Sequence, residues 1–206
     1  MRIDSISQSP DRTGRFLVKI SDGTSMKLYR QTVEDFRLYP GMELESLDEL
    51  REHNSRYSAK MRAVRIVSAS NVSKRDLETR LVRKGESEEQ AKEAVQWLSE
   101  LKLLDDRQTA KQIVDSCIRK GYGLQRAKQA LYEKQIPKEF WEEALESYPD
   151  QLARIADFLR AKLRDPEDPK QVKRAIDAAL RRGHSYAQVK RALEMIGTDS
   201  DFEEDY

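Results

Sequence analysis

Leu77-Glu78-Thr79-Arg80-Leu81-Val82-Arg83-Lys84-Gly85, followed by Ala91, Ala94, Val95 and Leu98, is the stretch that organises this chain. Counted from Lys84, apolar residues stand 7 and 3 places before it and 7, 10, 11 and 14 places after it. That spacing is one stripe on a helix, a turn, and one stripe on the next helix. The pattern returns 50 residues later at Lys134 and 48 residues after that at Arg182. The columns read Leu77, Ala127, Ala175; Leu81, Leu131, Ala179; Ala91, Trp141, Val189; Ala94, Ala144, Ala192; Val95, Leu145, Leu193; and Leu98, Tyr148, Ile196. An earlier helix matches in two copies, with Ala63, Val64 and Val67 standing where Ile113, Val114 and Cys117 stand. The third copy loses register near the loop at 165–168. Six columns in three copies predict three tandem three-helix units, nine helices in all. Each unit is too thin to bury a core alone and must stack on its neighbour, in a curved, elongated array.

Upstream of residue 50 the period changes to two. Phe16, Val18 and Ile20 alternate with Leu17 and Lys19, Ser21-Asp22-Gly23 marks a turn, and Met26 and Leu28 alternate beyond it, which reads as a β-hairpin. Ile3 and Ile6 suit a further strand, Pro40-Gly41 a turn before Met42 and Leu44, and Val33 to Phe36 one short helix. The expected fold class is therefore mainly α, three tandem three-helix repeats behind a small, mostly β N-terminal domain. The boundaries follow as 1–50 for the β-rich domain, 51–102, 103–148 and 149–197 for the repeats, and 198–206 for a disordered acidic tail.

Helix ends are marked by their caps. Ser73 precedes the helix of Leu77 and Leu81, and Ser87 with Gln90 forms a capping box. Asp105 caps the helix running towards Lys120, Pro137 opens another as its first residue, and Ser185 caps the last.

Composition fits a thin core: 38% of the 206 residues are hydrophobic and 36% charged. With one cysteine, Cys117, no intrachain disulfide can form. No apolar run approaches the roughly 18 residues of a membrane-spanning helix, and Met1-Arg2-Ile3-Asp4-Ser5 is unlike a signal peptide. A monomeric, cytoplasmic protein is expected.

Little in the sequence supports catalysis or a cofactor. His53 and His184 have no partners at metal-ligand spacing, so each reads as a solvated or capping histidine. Cys117 falls on an apolar stripe with Ile113 and Val114, the place of a small core residue. Gly121-Tyr122-Gly123 lacks the spacing of a phosphate loop and reads as a helix end and turn. Asp105 and Asp106 read as a cap and a dipole partner rather than a metal site.

The formal net charge of +1 hides an uneven distribution. Residues 1–54 sum to −2, residues 55–197 to +8 and the tail to −5. Bases gather on the middle helix of each unit, while the last helices of the first two units are acidic, through Glu86, Glu88, Glu89 and Glu93 and through Glu139, Glu142, Glu143 and Glu146. Helices that acidic are poor candidates for reading DNA in a helix-turn-helix manner. The basic array instead points to an anionic partner surface.

The segment from Arg119 to Leu131, containing Lys120-Gly121-Tyr122-Gly123, resembles the middle repeat of the RecX family. Ser73 to Leu81, the following Arg83-Lys84-Gly85, Leu104-Asp105-Asp106 and Arg181-Arg182-Gly183-His184-Ser185-Tyr186 are similar to its other repeats. Gly41-Met42-Glu43-Leu44 is similar to the N-terminal extension of longer members. The resemblance covers nearly all of the chain outside the acidic tail. Three departures concern turns and packing. Gln135 replaces a usual Gly and calls for a different backbone there, Lys102-Leu103 replaces a Gly-Tyr pair, and His184 replaces an aromatic residue.

The resemblance implies a non-enzymatic regulator that binds the groove of the RecA–DNA filament and restrains ATP hydrolysis, strand exchange and co-protease activity. The residues expected at the partner surface are Arg75, Arg83, Arg119, Lys120, Tyr122, Arg126, Lys128, Lys173, Arg174, Arg181 and Arg182. Tyr122 is expected as an exposed contact. Direct contact with single- or double-stranded DNA, a DNA-binding regulator built from helix-turn-helix-like units, and a generic helical-repeat scaffold are the alternatives. The tail acids Asp199, Asp201, Glu203, Glu204 and Asp205 are expected to screen the basic array when no partner is bound.

Overall fold

A computed structural model describes residues 1–10 and 14–197; the expected acidic tail lies outside the described residues. Strands β1 (Ile3–Gln8), β2 (Arg15–Ile20) and β3 (Ser25–Tyr29) form an antiparallel sheet in that order. The hairpin expected from the period of two is β2–β3, in register from Arg15 opposite Tyr29 to Lys19 opposite Ser25. In the turn between them the Asp22 carboxylate accepts the Thr24 backbone N–H at 2.8 Å, and that bond holds its pKa below the usual carboxylate value. Alternation places Val18, Ile20 and Leu28 on the buried face with Ile3, Leu38, Leu47 and Leu50. Met42 and Leu44 join by backbone bonds rather than as a full strand: Ile3 N–H reaches Met42 O at 2.9 Å and Leu44 N–H reaches Met1 O at 2.7 Å.

The short helix expected near Val33 is α1 (Arg30–Asp35). It is followed by α2 (Asp48–Ala69), 22 residues long and so about 33 Å in length. The N-terminal half of α2 seals the sheet. Leu50 enters the β core, and the Asn54 side-chain oxygen accepts the Tyr29 N–H at 2.8 Å. Its later half carries Ala59 and Ala63, both fully buried. Such small side chains let a neighbouring helix approach closely.

Helix α2 then packs with α3 (Lys74–Arg83) and α4 (Glu88–Glu100) as the first three-helix unit. The second consists of α5 (Asp106–Arg119), α6 (Leu124–Glu133), a 3-10 turn at Lys138–Phe140 and α7 (Trp141–Leu145). The third is α8 (Leu152–Lys162), α9 (Pro169–Arg181) and α10 (Tyr186–Met195). The repeat columns become the cores. Ile113, Val114, Leu131 and Ala144 pack in the second unit, and Ile155, Leu159, Ala175, Ala179, Val189 and Leu193 in the third. The chain folds as two compact units. One comprises residues 1–70 and 74–104, the other residues 71–73 and 105 onward.

Two of the caps differ from expectation. Ser87 accepts the Gln90 N–H at 3.2 Å, but the Gln90 side-chain oxygen faces α2 and takes the Ser55 hydroxyl at 3.1 Å, so only half of that capping box forms. The complete box is at Ser185 and Gln188. Pro137 stands at the N-cap with an extended ψ of 137° rather than as the first helical residue, and a 3-10 turn follows it.

Gln135 departs from expectation in the other direction, because its turn keeps the backbone of its counterparts. Gln135 has φ +53°, in the left-handed region that Gly85 and Gly183 occupy at the same place in their repeats. The same two bonds close each turn: Gln135 N–H to Tyr132 O and Ile136 N–H to Leu131 O, as Gly85 N–H to Val82 O and Glu86 N–H to Leu81 O. This is the Schellman arrangement, and burial of Leu131 and Ile136 on either side of the turn enforces it. A residue with a Cβ pays about 1–2 kcal/mol to sit there. Gln135→Gly is therefore expected to raise stability by about 1 kcal/mol. Urea denaturation followed by circular dichroism measures this, with a higher midpoint and unchanged helicity as the outcome.

Candidate partner-binding surface

Residues of the second and third repeats that carry the family resemblance meet at two turns. Gly123 N–H donates to Arg182 O at 2.8 Å and Gln125 N–H donates to Gly183 O at 3.2 Å. The approach is so close that a Cβ on Gly123 would lie 2.0 Å from Gly183 O, and one on Gly183 would lie 2.3 Å from Arg126 N. Side chains reinforce the contact: Arg182 Nη2 donates to Lys120 O at 2.9 Å and Arg154 Nη1 to Ile118 O at 2.6 Å, while within the second repeat the Tyr148 hydroxyl donates to Tyr122 O at 2.6 Å. Burial raises the Tyr148 pKa to about 12, which keeps the hydroxyl a donor.

This junction reassigns two of the expected surface residues. The Arg182 guanidinium sits between two aromatic rings, 4.7 Å from the Phe158 centroid and 5.5 Å from that of Tyr122. Tyr122 is half-buried beneath it. Both work inside the molecule, joining one repeat to the next.

His184 also differs from the solvated or capping histidine expected. It is 6% exposed, with Nε2 3.2 Å from Gly121 O, because it fills the space between the two turns. Burial pushes its pKa below 6.5. His53 is half-buried, with Nε2 3.2 Å from Asp35 and Nδ1 3.3 Å from the Thr32 hydroxyl. Cys117 is buried as expected, and burial raises its thiol pKa. The Asp105 carboxylate accepts Arg107 N–H at 2.8 Å and Gln108 N–H at 3.3 Å, as a cap does. Among the described residues no three His, Cys, Asp or Glu converge in a way that could hold a metal, and no helix is long and apolar enough to cross a membrane.

The remaining bases distribute unevenly. On α3, Arg75 and Arg83 are exposed, while Arg80 turns inward to Asp76 at 2.8 Å. Arg119 and Lys120 are exposed at the end of α5. On α6, Lys128 is half-buried and Arg126 pairs with Glu133 at 3.1 Å. Gln129 first and Arg126 second hold the Glu133 carboxyl below its usual pKa.

Lys173, Arg174 and Arg181 are exposed on α9. Arg174 and Arg181, two turns apart, line a cleft of about 610 Å³ with Lys162 and Arg164 from the end of α8. Lys173 is not among the residues lining this cleft. The one acid lining it, Asp168, caps α9 through the Lys170 N–H at 2.9 Å and accepts from Gln171 at 3.0 Å. Those bonds, with the nearby charge of Arg174, keep its carboxyl ionised below the usual range. Sequence reading missed Lys162 and Arg164, because bases at a helix C-terminus are explained by the helix dipole alone. The acidic third helices of the repeats are tied down internally where α7 meets α5: Glu143 pairs with Arg107 at 3.2 Å and Lys111 at 2.7 Å.

Three-helix repeats, the second and third joined turn to turn, with a basic cleft on the last and an N-terminal antiparallel sheet, define a mainly helical repeat protein. The family described as RecX, second three-helix domain, matches residues 105–145. The chain is 28% identical over 145 residues to the regulatory protein RecX of Vibrio parahaemolyticus, covering 69% of this chain and 94% of that protein. It is 27% identical over the same length to that of Vibrio campbellii. In fold it is similar to a crystal structure of regulatory protein RecX, with a TM-score of 0.61, 20% identity and coverage of 96% of this chain and 99% of that one. The structure of RecX from Lactobacillus salivarius gives a TM-score of 0.59 at 18% identity, over 70% of this chain and 98% of that one. The second three-helix repeat thus matches the RecX family, and the chain is similar to regulatory proteins RecX over 69% of its length.

Two predictions follow from the junction. Gly123→Ala is expected to destabilise the second unit by more than about 2 kcal/mol, since the added methyl meets backbone that cannot yield; thermal unfolding reads it. The second concerns His184, whose folded pKa lies below its unfolded value of 6.5. Above that pH the ring is neutral in both states. As pH falls through 6.5 the unfolded chain takes up the proton first, so stability declines. Urea midpoints measured on both sides of this pH should fall more steeply with acid for the wild type than for His184→Gln.

Proposed function

We propose that this protein binds the RecA–DNA filament and restrains its ATP hydrolysis, strand exchange and co-protease activity. Similarity to regulatory proteins RecX supports this reading, and so does a surface chemistry suited to an anionic partner. The observation that carries it is the cleft of Arg174, Arg181, Lys162 and Arg164. It concentrates positive charge on a repeat whose backbone is locked to its neighbour, so ordering that surface on binding costs little entropy. Arg75, Arg83, Arg119, Lys120, Lys128 and Lys173 are further exposed or half-buried bases. Arg126, half engaged with Glu133, stands ready to exchange that carboxylate for a partner anion.

RecA ATPase on single-stranded DNA, titrated with this protein, tests the reading. Hydrolysis is expected to fall as protein is added. The double variant Arg174→Glu with Arg181→Glu should need about ten-fold more protein for the same effect, with helicity and thermal midpoint unchanged. Inhibition equal to that of the wild type removes this cleft from the interface.

A further inference from the structure

A second basic cleft lies in the first unit, where strands β2 and β3 meet helices α2 and α3. It has a volume of about 410 Å³ and is lined by Arg15, Arg62, Arg65, Arg80 and Lys84. None of its lining residues is acidic. The spacing explains the convergence. Arg62, Arg65, Ile66 and Ala69 form one face of α2, Arg80 lies in the last turn of α3 with Lys84 just past its end, and Arg15 stands directly opposite Tyr29 in the β2–β3 register.

The cations are held in place from behind. Arg62 Nε binds Glu86 at 2.9 Å, and its Nη1 binds the carbonyl of Lys84 at 2.8 Å. Arg80 Nε binds Asp76 at 2.8 Å. Arg15 Nη2 donates to the Tyr29 hydroxyl at 2.7 Å, its guanidinium lies 4.5 Å from the Tyr29 ring centroid, and its Nε is buried without a partner. Arg65 and Lys84 have no acidic partner among the described residues. The two carboxylates behind the cleft balance two of its five cations, leaving three charges that repel one another across a concave surface. Such an arrangement favours an anion that brings several charges into a small volume.

We propose that this cleft binds the phosphate tail of a small polyphosphate, either a nucleoside di- or triphosphate or a free oligophosphate. A terminal phosphate carries about −2 and each further phosphate adds to it, which matches three uncompensated cations. A nucleic-acid strand brings one charge per nucleotide along an extended path, a worse match to a cleft whose cations converge on one small volume. The volume falls within the range of about 300–1,000 Å³ that small ligands occupy. Ile66 and Ala69 supply an apolar wall for a nucleoside beside the charged end. The β-sheet domain thereby has a role in the site, through Arg15 and Tyr29.

Calorimetric titration of the full chain with tripolyphosphate at about 50 mM salt tests the proposal, with ATP and a 5′-hydroxyl single-stranded oligonucleotide as further arms. Tripolyphosphate is expected to bind once per chain. Arg65→Ala and Lys84→Ala, which remove no internal ion pair, should each weaken it by about five-fold or more, while Lys92→Ala on the exposed side of α4 leaves it unchanged. Tighter binding of ATP than of tripolyphosphate would assign the cleft to nucleotides, and equal binding to free oligophosphate. The proposal is overturned if tripolyphosphate does not bind, or if Lys92→Ala weakens it as much as the other two. It is also overturned if the oligonucleotide alone binds and loses affinity in Arg65→Ala and Lys84→Ala.

Discussion

The backbone contact of Gly123 with Arg182 and Gly183 is the constraint on which the second unit depends. Three-helix repeats of this size bury small residues at their centres, among them Ala127, Ala144, Ala175 and Ala179. The joints add to the stability of these small cores. Here the joint is made of main chain. Hydrogen bonds between turns have fixed length and direction, so the orientation of one repeat on the next is specified more tightly than apolar contact could specify it. The arginine, tyrosine and histidine side chains around the joint finish this task by taking up the turn carbonyls.

That constraint reorganises the charge. A count of bases along the helices treats Arg174, Arg181 and Arg182 as equals. In the folded protein Arg182 is consumed by the joint, stacked between Tyr122 and Phe158, whereas Arg174 and Arg181 remain outward. The first unit shows the same division. Arg80 and Arg62 are anchored by buried acids, and the anchoring orients them around a cleft instead of removing them from the surface. Buried acids behind arginines reduce the entropy lost when the guanidinium groups engage an anion.

Much of the fold was legible because periodicity records which side of an element faces the core. The columns Leu81, Leu131 and Ala179 became core positions in their repeats, and the alternation at Val18 and Ile20 became the buried face of the sheet. The candidate surface was legible only in part. Arg174 and Arg181 were found on their helix, but Lys162 and Arg164 come from another helix across a loop, and no local pattern links them. Gln90, Gln135 and His184 were misjudged for a related reason. Each was read from its own neighbours in sequence, while its conformation or partner is set by Ser55, by Leu131 and Ile136, and by Gly121.

By itself the sequence determined the helices, the three strands, the three-fold repeat and a basic middle region masked by acidic ends, since these follow from period, caps and counts along the chain. The tertiary structure decided which bases face solvent, which lock the repeats and which converge on a cleft with Arg15 and Tyr29. Those outcomes depend on distances between residues far apart in sequence, as between Tyr122 and Arg182 or Arg15 and Arg62, and side-chain type carries no record of such distances until the chain has folded.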